Sequence, residues 1–212
     1  GSLAKYNLQD QIIDEYTDAT GIDAGNSTNE RLTAGVYDGA VVTTPSVTSD
    51  HDATGTDGDY TWYKWTATGA GSYETDTTQD HEWLIVAGGG GGGGKDHGSG
   101  GGAGGYRTGT TLSLTGGNEY TVTVGAGGNG TDTNSTPGDD GGDSIISGTG
   151  ITTITSTGGG GGGAYSIGSD GGSGGGGGAH SAGTGQTWAA GSATAITQYT
   201  AAGETTTVQG YD

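Results

Sequence analysis

The sequence predicts a mainly β and irregular fold that combines a short N-terminal helix, β-hairpins and a bundle of extended glycine helices. Glycine supplies 53 of the 212 residues, whereas it makes up about 7% of an average protein. Apolar residues reach only 28%, compared with about 45–50% in a typical globular domain. Stretches rich in Val, Tyr, Thr and Leu, which favour strands, separate the glycine runs. We therefore expect no single large aliphatic core.

Residues 1–36 are predicted to form a helical or assembly segment. From Leu3 to Gly21, apolar residues recur at steps of three and four, and acidic residues occupy the opposite side. A helix of about four turns is marginal alone. Its apolar face would therefore dock on its own domain or join copies of the chain.

Residues 37–87 are predicted to be a β-strand region. Residues 60–66 and 82–86 have the alternation of strands, and we expect them to pair as a hairpin with at least one strand covered on both faces. Trp62 and Trp65 would either pack in a small core or form an aromatic platform for a sugar ring. A second hairpin is expected further on, over residues 111–124.

Residues 88–212 are predicted to form a separate glycine-rich domain. Its longest runs are unlike collagen, which needs glycine at every third position and abundant proline. They are also unlike a phosphate-binding loop, because Asp96 and His97 follow Lys95 where Ser or Thr is required. The runs are bounded by glycines that we predict to be structural: Gly88, Gly94, Gly158, Gly163, Gly174 and Gly178.

The remaining interpretation is that each run is an extended helix of the polyproline II type, with three residues per turn. Such a helix makes no internal hydrogen bonds, so its buried amides must find partners on neighbouring segments. Glycine backbones without side chains approach closely enough to do this. The sequence therefore predicts rigid, laterally bonded rods in place of flexible linkers.

An ordered series of blocks resembles the glycine-rich domain of bacteriophage tail-fibre and adhesin proteins. The blocks are the strand at 82–87 leading into the run 88–94, then Tyr106-Arg107-Thr108 after two glycines, then residues 120–128, 141–144 and 158–163. The resemblance covers roughly residues 60–185. It implies a polyglycine II bundle whose connecting loops form a receptor-binding surface.

The leading functional hypothesis is a receptor-binding module of a viral tail fibre or spike, located on the virion surface or outside the cell. Its partners would be a host surface glycan or an outer-membrane protein, together with copies of itself in a trimer or polymer. The candidate contact residues lie in the interruptions of the glycine runs and are Lys95, Asp96, His97, Tyr165 and Trp188. The alternative is a self-assembling subunit of an extracellular filament or virion surface decoration.

Several other functions are not expected. The net charge of −19 with five scattered basic residues opposes nucleic-acid binding, and residues 84–87 are far too short an aliphatic stretch to insert in a membrane. No serine or histidine lies in a nucleophile motif, so we expect neither an enzyme nor an organic cofactor.

Metal binding has only weak candidates. Asp50, Asp52, Asp57 and Asp59 would either wrap Ca²⁺ or form a solvated acidic loop. His97 and His180 follow comparable glycine runs and would either share a metal or face water.

Overall fold

The computed structural model describes residues 45–179 and 188–193, together with two short strands near the N-terminus. The chain divides into two compact units, Gly1–Ser46 and Val47–Asp212. In the first unit, β1 (Tyr6–Asn7) pairs antiparallel with β2 (Gln11–Ile12). These four residues fall inside the predicted helix, which is therefore wrong there; the rest of residues 3–21 lies outside the described residues. An isolated helix of this length is marginal, and Tyr6 and Ile12 favour strands.

The described part of the second unit is built from strands and extended segments, with no helix, and hence none that is long and apolar enough to cross a membrane. A five-stranded antiparallel sheet has the order β11-β10-β9-β6-β3, and two further pairs are β4-β5 and β7-β8. The strands are β3 (Val47–Ser49), β4 (Ala53–Asp57), β5 (Tyr60–Lys64), β6 (Gly69–Thr75), β7 (Gln79–Val86), β8 (Tyr106–Leu114), β9 (Glu119–Val124), β10 (Ser144–Gly148) and β11 (Ile154–Ser156).

A small core lies between the five-stranded sheet and the β7-β8 pair. The larger sheet contributes Tyr73, Tyr120 and Ile154, and the pair contributes alternate residues of both strands, namely Trp83, Ile85, Leu112 and Leu114. Tyr120 is 1% exposed, and its hydroxyl accepts a hydrogen bond from the Thr115 amide at 2.8 Å. One unit therefore contains both the predicted β-strand region from Val47 onwards and the glycine runs.

The strands pair differently from the sequence prediction. Residues 60–64 pair with β4, residues 82–86 pair with β8, and β8 and β9 belong to different sheets, so neither predicted hairpin forms. The expectation that a strand is covered on both faces is also wrong for β7, because Leu84 and Val86 are exposed while Trp83 and Ile85 are buried. Alternation within a strand predicts faces, but it carries no information about which partner lies alongside.

Three tryptophans lie over glycines of nearby strands. The indole rings of Trp62, Trp65 and Trp83 occupy the space that a Cβ would need at Gly55, Gly71 and Gly109, respectively. Trp83 and Trp65 pack in or against the core, whereas Trp62 is 43% exposed. Trp62 and Trp65 therefore do not form a shared aromatic platform for a sugar ring. Glycine at these three positions leaves room for the indole ring of a nearby tryptophan.

A partly buried histidine couples β7 to β6. His81 Nε2 lies 2.8 Å from the Tyr73 hydroxyl, and the two rings meet edge to face. Burial raises the pKa of Tyr73 to about 12. Burial also lowers the pKa of His81 below its usual value of 6.5, so neutral imidazole is the form that the folded protein favours.

Replacing His81 with Gln is expected to remove part of the acid sensitivity of the fold. Because the pKa of His81 is lower in the folded state, the unfolded state takes up the proton first, and stability falls as the pH drops below 6.5. Thermal unfolding between pH ~7 and ~5 should show a loss of Tm in the native chain that is reduced in His81→Gln. The variant His51→Gln, which removes another partly buried imidazole, should keep the loss. An unchanged pH profile in His81→Gln would contradict this assignment.

Candidate functional site

The glycine-rich part of the described chain contains eight extended segments, five of which continue strands of the core. Segments A, C and E leave the ends of β7, β9 and β11, and segments B and D return into β8 and β10. We define them by residue number: A 87–94, B 98–105, C 125–131, D 136–143, E 157–163, F 166–171, G 172–179 and H 188–193. Their hydrogen bonds run between segments.

Segment E is the centre of this arrangement. Each amide and each carbonyl of residues 158–163 has a partner on another segment, at donor–acceptor distances of 2.7–3.0 Å. The partners belong to segments A, B, D, F and G. All six residues are buried. Burying an unpaired amide or carbonyl is costly. Segment E avoids this cost through hydrogen bonds to other segments, although it forms neither a helix nor a strand.

The partners of segment E repeat every three residues. Gly159 and Gly162 donate to the carbonyls of segment A, whereas Gly160 and Gly163 donate to those of segment G. The carbonyls of Gly159 and Gly162 accept from segment D, and those of Gly160 and Gly163 accept from segment B. A β-strand would change sides every second residue. A period of three is therefore a different backbone geometry.

Segment A follows the same rule. Its amides at 87, 90 and 93 donate to segment B, and those at 88, 91 and 94 donate to segment D. Its carbonyls at 88 and 91 accept from segment E, and those at 89 and 92 accept from segment C. Segments A and E are thus each bonded to several neighbouring segments.

Carboxylates accept from three amides of these segments that have no carbonyl partner among the described residues. Asp143 Oδ1 accepts from the Gly158 amide at 2.8 Å, and Asp140 Oδ1 accepts from the Gly161 amide at 2.7 Å. Asp170 Oδ1 does the same for the Ser192 amide at 2.6 Å. Asp140 and Asp143 are themselves three residues apart, so they match the spacing of the amides that they serve.

The glycines named from the sequence as structural lie in segments A, E and G. At each of the six, an added Cβ would approach a backbone atom of another segment or turn more closely than 3.0 Å; the six are Gly88, Gly94, Gly158, Gly163, Gly174 and Gly178. Real Cβ atoms do not come so close. Close approach of backbones, more than unusual dihedral angles, therefore demands glycine here.

The turns between segments A and B, C and D, and E and F gather at the end remote from the strands of the core. Three backbone hydrogen bonds lie at this end. The amides of Gly94, Ser99 and Ala179 donate to the carbonyls of Thr136, Gly163 and His97, respectively. The Trp188 amide also donates to the Gly178 carbonyl at this level, at 2.9 Å. We call this end the tip. It contains the described parts of the interruptions that the sequence singled out.

The tip holds all the non-glycine residues with positive φ among those that the structure describes. They are Asp96 (58°), His97 (73°), Ser135 (60°) and Tyr165 (53°). Each lies in a turn between two segments. A left-handed backbone costs a residue with a side chain roughly 1–2 kcal/mol, and glycine would avoid that cost.

Two of the predicted contact residues touch each other. The rings of His97 and Tyr165 have centroids 4.7 Å apart and are tilted by 57°. Trp188 is 42% exposed at the same level, and Lys95 and Asp96 are exposed in the turn before His97. The structure thus brings His97 and Tyr165 together, and it places the other three at the tip.

Ser135 and Ile167 lie in two stretches that the sequence indicated as candidate contacts, residues 129–140 and 165–170, but neither was singled out as a residue. Ile167 is 62% exposed beside the Tyr165 turn, an unusual position for a large aliphatic side chain in so polar a chain. Ser135 looked like an ordinary loop residue, and only its positive φ sets it apart. An isolated isoleucine between glycine runs was the one signal available.

The four aspartates considered for Ca²⁺ have other partners or lie apart. Asp50 Oδ1 accepts from Trp65 Nε1 at 2.9 Å and from the Ser72 amide, and these bonds lower the pKa of Asp50. Asp52 Oδ2 accepts from the amides of Thr66 and Ala67, which lower its pKa as well.

Asp57 and Asp59 lie at the far end of the β4-β5 hairpin, away from Asp50 and Asp52. Within the part of the chain that the structure describes, no three histidine, aspartate or glutamate residues stand close enough to share an ion. His180 lies outside the described residues. No metal centre is therefore assembled from the described candidates.

Comparison with known proteins gives one match. Residues 66–212 match the family model described as a glycine-rich domain. This is more than half of the chain. No curated protein and no solved structure matches the chain.

Two glycine-to-alanine changes are expected to act in opposite directions. In Gly160→Ala the methyl group would overlap the Ser169 carbonyl inside the bundle, so the free energy of unfolding should fall by about 1–3 kcal/mol or more. In Gly127→Ala the nearest atom is 3.8 Å away, and reduced freedom of the unfolded chain should raise stability by about 0.4–1 kcal/mol. Denaturant unfolding measures both. Equal effects of the two changes would refute the packing described here.

Proposed function

The chain belongs to the glycine-rich domain family, and we propose that it is the receptor-binding module of a viral tail fibre or spike. In this proposal the glycine segments form a rigid bundle, and the turns at the tip contact the host surface. The protein would then act on the virion surface or outside the cell. It works as a binding module and needs no catalytic group.

The bundle is proposed to be of the polyglycine II type. The period of three in the partners of segments A and E supports this, because a polyproline II-type helix has three residues per turn and a rise of about 3.1 Å per residue. The same neighbour is then met about every 9 Å along a rod. Close approach of glycine backbones at many positions is what such packing requires.

The observation that carries the functional proposal is the clustering of positive φ at the tip. In a chain that uses 53 glycines, four turn positions that favour glycine hold Asp96, His97, Ser135 and Tyr165 instead. Side chains kept at an energetic cost are characteristic of functional sites. Beyond the contact between the His97 and Tyr165 rings, we attribute this cost to contacts with a ligand.

The chemistry of the tip suits a host surface ligand. The His97–Tyr165 ring pair, exposed Trp188 and exposed Ile167 offer aromatic and apolar surface, and Lys95 and Asp96 add polar groups. Aromatic rings of this kind bury large area with little loss of conformational freedom. A glycan or a loop of an outer-membrane protein are the two ligands that fit.

The test is attachment of the purified, fluorescently labelled chain to host cells. Tyr165→Gly and His97→Gly should lower attachment by at least about tenfold, or ~1.4 kcal/mol. The Tm should be unchanged or higher, because glycine relieves the left-handed backbone. Trp188→Ala should also lower attachment. Loss of binding without loss of stability separates a contact role from a structural role.

Matched controls come from a hairpin that does not belong to the tip. Tyr60 and Trp62 are exposed aromatic residues on the β4-β5 hairpin, and Tyr60→Ala and Trp62→Ala should leave attachment unchanged. Binding that survives in the tip variants would refute the proposal. Protease treatment of the cells before the assay identifies a protein receptor, and periodate treatment identifies a glycan. Long polymers in negative-stain images would favour the alternative function, a filament subunit.

A further inference from the structure

Asn129 precedes Gly130 near the end of segment C, and it is the only asparagine of the chain that a glycine follows. The Cγ atom of an asparagine can be attacked by the backbone nitrogen of the next residue, which closes a five-membered succinimide ring and releases ammonia. Glycine at that next position favours the attack, because it has no Cβ to hinder the approach and its backbone turns freely. The pair therefore carries both reacting groups for deamidation of Asn129.

The amide of Gly130 is available for this reaction. It has no hydrogen-bond partner within the described part of the chain, and both Asn129 and Gly130 are exposed. The Asn129 side chain donates from Nδ2 to Asp139 Oδ2 at 3.2 Å, also in an exposed position. This bond engages the nitrogen that leaves as ammonia, and it does not engage the Cγ atom that is attacked.

Two comparable pairs in the bundle are locked by hydrogen bonds. Asp140-Gly141 and Asp170-Gly171 could close the same ring, but the amides of Gly141 and Gly171 donate to carbonyls of neighbouring segments at 2.8 and 3.1 Å. Oδ1 of each aspartate also accepts from a backbone amide, at 2.7 Å for Asp140 and 2.6 Å for Asp170. Of these three pairs in the described bundle, Asn129-Gly130 alone has an unbonded glycine amide.

We propose that Asn129 is a site of self-modification, where the chain converts its own asparagine to aspartate and isoaspartate. The Gly130 nitrogen loses its proton to a base from the solvent and bonds to Asn129 Cγ. The bond from Cγ to Nδ2 breaks, and ammonia leaves with a proton from water. Water then opens the succinimide, so that one water is consumed and one ammonia is released overall.

The position of ring opening decides the product. Attack of water at Cγ restores the original backbone and gives aspartate. Attack at the backbone carbonyl carbon of Asn129 leaves the chain running through Cγ, which gives isoaspartate. Neither route needs an oxidant, a metal or an enzyme.

Both products place like charges together between segments C and D. The Nδ2 donor is replaced by a carboxylate, which then faces the Asp139 carboxylate that it formerly served. Like charges in contact repel one another. The Asp139 amide also donates to the Asn129 carbonyl at 2.9 Å, so the repulsion acts directly on a point where the two segments are bonded.

Isoaspartate also breaks the period of three in segment C. The amides of Gly128 and Thr131 donate to the carbonyls of Gly89 and Gly92 in segment A, at 2.8 and 3.2 Å. Isoaspartate at position 129 inserts one more backbone atom between these two donors. We expect the Thr131 bond to be lost, because the turn that follows it, residues 132–135, is exposed. The modification therefore alters the tip, and only its effect on attachment rests on the proposed receptor-binding function.

Mass spectrometry of the folded whole chain, incubated in buffer and then mapped by peptide, tests the proposal. Each event raises the mass by a single unit and adds a negative charge. Asn129 should convert faster than Asn118 and Asn134 of the same molecules by at least about tenfold. The rate should rise with pH, because the Gly130 amide must lose its proton. Equal rates at the three asparagines, or conversion of Asn129 only after unfolding in urea, would overturn the proposal.

Gly130→Ala provides a variant that blocks the reaction and keeps the fold. A Cβ at Gly130 would be 3.5 Å from its nearest neighbour, and Gly130 has no positive φ, so the Tm should not fall. The added methyl group hinders ring closure, and conversion of Asn129 should slow by at least about tenfold. The matched control Gly127→Ala, where the nearest atom is 3.8 Å away, should convert at the native rate. Native-rate conversion in Gly130→Ala would refute the role of the Gly130 amide.

Amide exchange of the modified chain tests the effect on segment C. The product forms are separated by ion exchange, because each carries an additional negative charge. In the isoaspartate form, the Thr131 amide should exchange faster than in the native chain, whereas the Gly128 amide should keep its rate. An unchanged Thr131 amide would overturn the proposed effect on the tip. Mass and amide exchange do not involve a receptor, so failure here is distinguishable from failure of receptor binding.

Discussion

Satisfying buried backbone amides is the constraint on which this protein depends. A glycine run offers no side chain to bury, and ordering each residue costs about 1–2 kcal/mol of conformational entropy, with glycine at the upper end. Hydrogen bonds between segments, dispersion contacts between closely packed backbones and exclusion of water must together offset that cost. Segment E shows the outcome, because residues 158–163 have a partner for every amide and carbonyl.

The small core between the five-stranded sheet and the β7-β8 pair makes this arrangement possible. Strands β7, β9 and β11 lead directly into segments A, C and E, and segments B and D lead back into β8 and β10. The core, including Tyr120 and Ile154, thus sets the spacing and direction of the rods at their base. At the other end, short turns carry His97 and Tyr165, whose rings are in contact. The glycine-rich segments therefore connect a conventional apolar core to the turns of the tip.

The sequence predicts the extended glycine segments and some of the turns, but not the strand partners or the roles of individual loop residues. Glycine runs flanked by strand-forming residues predicted extended, laterally bonded segments, and the interruptions at Lys95 and Tyr165 indicated two of the turns. Strand partners were mispredicted, because alternation at residues 60–66 defines two faces without defining a neighbour. The roles of Asp140 and Asp143 were invisible, since an exposed aspartate in a loop looks the same whether or not it serves a distant amide. Positive φ at Ser135 is likewise a property of the folded turn alone.

Amide hydrogen exchange, resolved by residue with NMR, tests the central claim most directly. The amides of Gly159, Gly160 and Gly162 donate to segments A and G, so we expect them to exchange as slowly as amides of the central strand β9. The Gly127 amide, which has no partner among the described residues, should exchange quickly and serves as the internal reference. Exchange of the three segment E amides at the rate of Gly127 would contradict the account.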